Sequence, residues 1–209
     1  MARTDPELVA GLVGWLDGQR GVTLAAGLTE AELDRAERAF GVRMPGLWRA
    51  VLARAYPVTS TNDGIACPDW RFGDEPGTRE LVDGPVEGLL FDVEQNGFWW
   101  HGWGDAPAGR SERLRVARRR LAEVPRLTPL VGHLYVGPDD ASPVFSIVQA
   151  DLYVPALTLA DLVTGRDQSE VPAERYPIGS VPFWSELHAY AALGHDKDSR
   201  FAGLATGGL

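Results

Sequence analysis

Leu127-Thr128-Pro129-Leu130-Val131-Gly132-His133-Leu134-Tyr135-Val136 and, after the turn Gly137-Pro138-Asp139-Asp140-Ala141-Ser142-Pro143, Val144-Phe145-Ser146-Ile147-Val148-Gln149-Ala150-Asp151-Leu152-Tyr153-Val154 decide the fold class. Both runs are rich in β-branched and aromatic residues, and the linker holds the Gly, Pro, Asp and Ser of a long turn. They predict two strands paired antiparallel. Before them the apolar residues recur at helical spacing. Leu8, Leu12, Trp15 and Leu16 share one face of a helix over Pro6 to Asp17, capped by Thr4 or Asp5 and ended by Gly18. Thr29 and Glu32 have the spacing of a capping box, with Leu28 and Leu33 as a hydrophobic staple, and that helix runs to Phe40 before Gly41. A third helix opens near Pro45 and turns Leu47, Trp48, Val51 and Leu52 inward.

From Tyr56 to Gly88 the density of Pro, Gly, Asp and Asn predicts loops with one or two short strands. Val86 to Glu94 alternates as a half-buried strand, with Leu89, Phe91 and Val93 on one face. Ser111 to Val124 is a helix with Leu114, Ala117, Leu121 and Val124 inward and five arginines elsewhere. Beyond the strands, Thr158 caps a short helix through Val163, residues 166–179 form a surface connection, and Pro182 to Leu193 forms a last helix. Helices, then strands, then helices predict an α+β fold with a central antiparallel sheet flanked by helices. Residues 1–194 are expected to form one domain and 195–209 a flexible tail.

The formal net charge of −9 opposes nucleic-acid binding, which needs an excess of Lys and Arg. It favours encounter with a basic protein. The charge is uneven: residues 107–126 hold 7 bases against 2 acids. No apolar run approaches a membrane span and no signal peptide opens the chain, so a cytoplasmic protein is expected. Cys67 is the single cysteine, which excludes an intrachain disulfide.

Chemistry-bearing motifs are missing: no Walker loop, no glycine-rich dinucleotide turn, no nucleophile elbow, no paired histidines at metal spacing. No catalytic residue, cofactor or metal is expected. Asp139 and Asp140 read as a solvated turn, since a Ca²⁺ site needs more oxygens. The outstanding segment is Gly97-Phe98-Trp99-Trp100-His101-Gly102-Trp103-Gly104. Its glycines permit sharp bends, and its rings either close the core or stay outside as a binding anchor. At least two of the three Trp are expected inside. Trp99, Trp100, His101, Trp103 and Asp105 are the candidate partner-binding residues.

Three groups of residues resemble the SUKH superfamily, in its bacterial branch named after the yeast cell-wall regulators Smi and Knr. They are Gly27 to Leu33 with Ala36-Glu37 and Gly41-Val42-Arg43-Met44-Pro45; Phe98-Trp99 through Trp103-Gly104 leading to Pro125 to Tyr135; and Ser142 to Asp151 with Leu159 to Leu162 and Pro182 to Leu187. The resemblance spans about residues 27–190. It departs at Thr61-Asn62-Asp63-Gly64, where relatives carry an Asn-Gly-Gly-like turn, and at Val154-Pro155-Ala156, which replaces a tyrosine-rich stretch. It implies an immunity protein that neutralises a polymorphic toxin, a basic one such as a nuclease, by direct binding. The alternatives are a general interaction or scaffold protein, and a small enzyme or sensor with a pocket near His101, His133 and the tryptophans.

Overall fold

The computed structural model describes residues 5–72, 75–164 and 180–193. The surface connection expected at 166–179 and the tail at 195–209 lie outside them. Among the described residues the chain is α+β, with seven α-helices and two small antiparallel sheets. The order is α1 (Pro6–Asp17), β1 (Val22–Ala26), α2 (Glu30–Phe40), α3 (Gly46–Arg54), β2 (Ala55–Thr59), α4 (Pro76–Gln95), a 3₁₀ turn (His101–Trp103), α5 (Arg110–Leu121), β3 (Thr128–Pro129), β4 (Leu134–Val136), β5 (Val144–Val148), β6 (Asp151–Ala156), α6 (Asp161–Thr164) and α7 (Trp184–Leu193).

The first three helices form where local signals place them. Asp5 caps α1 by accepting from Glu7 N–H, and Leu12 and Leu16 are buried. Thr29 and Glu32 close the capping box of α2, and Gly41 ends it in the left-handed conformation at φ 66°. Arg49 of α3 binds Glu30, Asp34 and Glu37 at 2.6, 2.8 and 2.6 Å and ties α3 to α2. The N-terminus of α3 has no cap within its own segment. Asp140 supplies one from the β4–β5 turn, accepting from Leu47 N–H at 2.8 Å. The expectation of a purely solvated aspartate turn is therefore corrected, because the free amides of a helix start need an acceptor.

A second correction concerns Val86 to Glu94, which is the C-terminal half of the helix α4 and not a strand. Glu75 accepts from Gly77 and Thr78 N–H at its start, and Pro76 occupies the first turn. Val82, Pro85, Leu89 and Val93 then fall at helical spacing and are buried. Phe91, assigned by alternation to the face of Leu89 and Val93, is 47% exposed. The glycines and Pro85 that suggested loops have other uses. Pro85 is tolerated inside the helix, and Gly88 lets the β5–β6 turn approach, since a Cβ there would lie 2.9 Å from Gln149 Cα.

The two strands expected over 127–136 and 144–154 are each broken into two. The four-stranded sheet has the order β3-β4-β5-β6, antiparallel throughout, and the expected pairing survives as β4 with β5. Gln149, at φ 57°, makes the turn that divides the second run into β5 and β6. A separate pair joins β1 to β2, with Val22 opposite Thr59. The expected antiparallel sheet is thus the four-stranded one, which feeds both hydrophobic clusters, and the β1–β2 pair is a second sheet that was not expected. Val136, Val144 and Ala156 join α1, α2 and α3. Tyr135, Phe145, Ile147, Leu152 and Val154 join α4, α5, α7 and the aromatic segment.

Candidate functional site

The aromatic segment forms a corner between α4 and α5, and its bends follow from its glycines. Gly97 and Gly104 adopt φ 74° and 81°, in the region that favours glycine. At Gly102 a Cβ would come within 2.7 Å of Trp100 Nε1, so only glycine lets that ring fold back over the turn. Phe98, Trp100 and Trp103 are buried, which places two of the three tryptophans in the core. Trp99 is half-buried, edge-on to Trp103 at 5.2 Å, and donates from Nε1 to Gly104 O at 2.7 Å.

The start of α7 completes the corner. Phe183 stacks on Trp103, with centroids 6.3 Å apart and planes 4° from parallel, and meets Trp100 edge-on at 5.7 Å. Its backbone is left-handed at φ 70°, an uncommon conformation for a non-glycine residue, held here by burial of its ring. Trp184 Nε1 donates to Pro125 O at 2.8 Å and fixes α7 to the chain leaving α5.

Outside this buried set His101 lies exposed, stacked on Tyr190 of α7 at 4.9 Å and 27°, and its ring also meets that of Trp100 at 4.0 Å, tilted by 54°. Tyr190 is 38% exposed. The structure therefore divides the expected site. Trp100 and Trp103 are scaffold; Trp99, His101 and Asp105 reach the surface. Tyr190 joins them, and the sequence order hides it because the stacked rings lie 89 positions apart in the chain.

A second residue that sequence reasoning missed positions the corner. Asp92 is buried on α4 and accepts from Asn96 Nδ2 at 2.5 Å and from Ala150 N–H at 2.6 Å. Its own carbonyl accepts from Phe98 N–H at 3.0 Å. One residue thus ties the end of α4, the start of the aromatic segment and the β5–β6 turn. An aspartate at helical spacing among Val82, Leu89 and Val93 was the available signal, obscured by the strand assignment.

The described histidines belong to separate elements. His133 lies in the turn just before β4, where its carbonyl accepts from Ile147 N–H, while His101 stacks on Tyr190. Half-burial lowers the pKa of His188 below the ordinary imidazole value, against a hydrogen bond with the Leu152 backbone that raises it. Among the described residues no group of three His, Cys, Asp or Glu side chains is placed to hold a metal ion, and no helix is long and apolar enough to cross a membrane. Cys67 is half-buried, and burial pushes its thiol pKa up.

Comparison with protein-family models, with curated proteins and with solved structures finds no match to this chain.

Proposed function

We propose that the chain is a protein-binding module of the SUKH kind, an immunity protein that neutralises a bacterial toxin by direct association in the cytoplasm. The observation that carries this reading is the exposed His101–Tyr190 stack on a rigid aromatic base. Rings held by packing lose little further entropy on binding, and tyrosine is enriched among residues that dominate interface energies. Asp105 and the half-buried Trp99 beside it add a carboxylate and an indole edge. The net charge of −9 supports a basic partner such as a nuclease, whose approach it would accelerate.

Co-expression with the product of an adjacent toxin gene tests the reading. Growth rescue and co-purification of a stoichiometric complex are expected. Failure to bind any adjacent gene product, with the chain folded and expressed, would sink it.

A further inference from the structure

A slot between α4 and the α5 region lies apart from the aromatic shelf, and its walls carry opposite charge. Asp83, Glu87 and Glu94 stand along α4; Arg110, Arg118 and Arg126 stand opposite. Ion pairs close both ends. Arg126 binds Asp83 at 2.7 Å and also reaches Phe40 O at 3.3 Å, while Arg110 binds Glu94 at 3.1 Å. Between these clasps Glu87 and Arg118 are exposed, both line the slot, and among the described residues neither forms an ion pair. The floor between them is Leu90, which is buried. The space is about 530 Å³ on the Arg126 side and about 220 Å³ on the side of the exposed Phe91.

We propose that this slot receives a loop of a protein partner, one that seats a bulky apolar side chain on Leu90 between a basic residue facing Glu87 and an acidic residue facing Arg118. The inference rests on the reading of the chain as a protein-binding module. Loop geometry follows from the clasps. Asp83 to Glu94 spans roughly 16 Å of helix, and ion pairs across both ends obstruct a helix lying lengthwise while leaving the middle open. The charge requirement follows from Arg118, the α5 arginine that lines both parts of the slot and has no ion pair among the described residues. A loop with basic side chains alone would be repelled by that wall, so the slot selects for an acid within an otherwise basic surface.

The test uses the full chain, labelled for NMR, and a disulfide-cyclised, end-blocked peptide whose tip is Lys-Phe-Glu. Saturable shifts of the Leu90 and Leu121 methyl groups are expected, with the Trp103 indole signal unmoved. Glu87→Gln and Arg118→Gln, both at exposed positions, should each weaken binding roughly three- to tenfold, the effect of losing one partly screened charge pair. Control tips Ser-Phe-Ser and Lys-Ser-Glu should bind more weakly than Lys-Phe-Glu. The proposal is overturned if the peptide gives no saturable shift at these leucines up to millimolar concentration, or if both variants bind it as the unaltered chain does. Toxin rescue is scored separately: a null titration with rescue intact overturns the slot alone, whereas saturable binding without rescue overturns the toxin reading and supports the slot.

Discussion

Replacing Asp92 by asparagine changes one oxygen to an amide group without altering side-chain size, and its effect can be worked from two contacts. In the folded chain Oδ1 accepts from Asn96 Nδ2 at 2.5 Å and Oδ2 from Ala150 N–H at 2.6 Å. An asparagine offers one acceptor oxygen, which keeps the fixed Ala150 N–H only if its NH₂ turns to Asn96, whose exposed amide must then rotate to accept. Hydrogen bonds to a charged group contribute about 1.5–3 kcal/mol each against about 0.5–1.5 kcal/mol for neutral ones, so both contacts weaken. Removing a buried carboxylate from low dielectric offsets part of this. A net loss of about 1–2 kcal/mol results, which for a chain of this length lowers the melting midpoint by about 2–8 °C. Denaturant unfolding measures the free energy, and a double-mutant cycle with Asn96→Ala tests its origin. Asn96 loses a charge-assisted bond when truncated alone but only a neutral one in the Asp92→Asn background, so its truncation should cost about 1 kcal/mol less there. A loss under about 0.5 kcal/mol for Asp92→Asn, or strict additivity of the two changes, refutes the bridging role assigned to Asp92.

Three further outcomes are expected elsewhere in the chain. Gly88→Ala should destabilise by about 1 kcal/mol or more in denaturant titration, because its Cβ would meet the backbone of Gln149 at 2.9 Å, although alanine is the better helix former. Asp140→Ala should cost about 0.5–2 kcal/mol by removing the acceptor of Leu47 N–H, whereas Asp139→Ala, which removes an exposed contact with Arg43 at 3.9 Å, should change stability by less than about 0.5 kcal/mol. The lowered pKa of His188 means that the unfolded chain takes up its proton more readily than the folded one. The stability linked to that group is complete above the ordinary histidine pKa and declines as pH falls through the folded value. His188→Gln should reduce the loss of stability between neutral and mildly acidic pH, read as denaturant midpoints across that range.

Structure fixed by neighbours in sequence was the most legible. The capping box at Thr29 and Glu32, the stop at Gly41 and the inward stripe of α3 require only residues within one or two turns, and all form as expected. Long-range demands were hidden. Gly84, Pro85 and Gly88 resemble punctuation when read along the chain, but Gly88 is set by the approach of the β5–β6 turn. The hairpin at Gln149 was equally hidden, because a left-handed glutamine gives no composition signal. The short strand β1 carries its meaning in its partner, since Val22 is buried while its successors are largely exposed. For the candidate site, the aromatic residues and their glycine bends were readable. Which rings face outward was not, because Phe183, just before α7, and Tyr190 within it decide it by stacking.

The central claim, that the shelf is a protein-binding anchor, is tested most directly by calorimetric titration of the purified chain with a catalytically inactive form of any toxin found to be encoded beside it. A one-to-one complex is expected, with affinity reduced at least about tenfold, or about 1.4 kcal/mol, by His101→Ala together with Tyr190→Ala, while the thermal midpoint of the free variant stays within a few degrees of the unaltered chain. A complex whose affinity is unchanged by the double substitution contradicts the shelf as anchor, and the absence of any complex contradicts the function proposed for the chain.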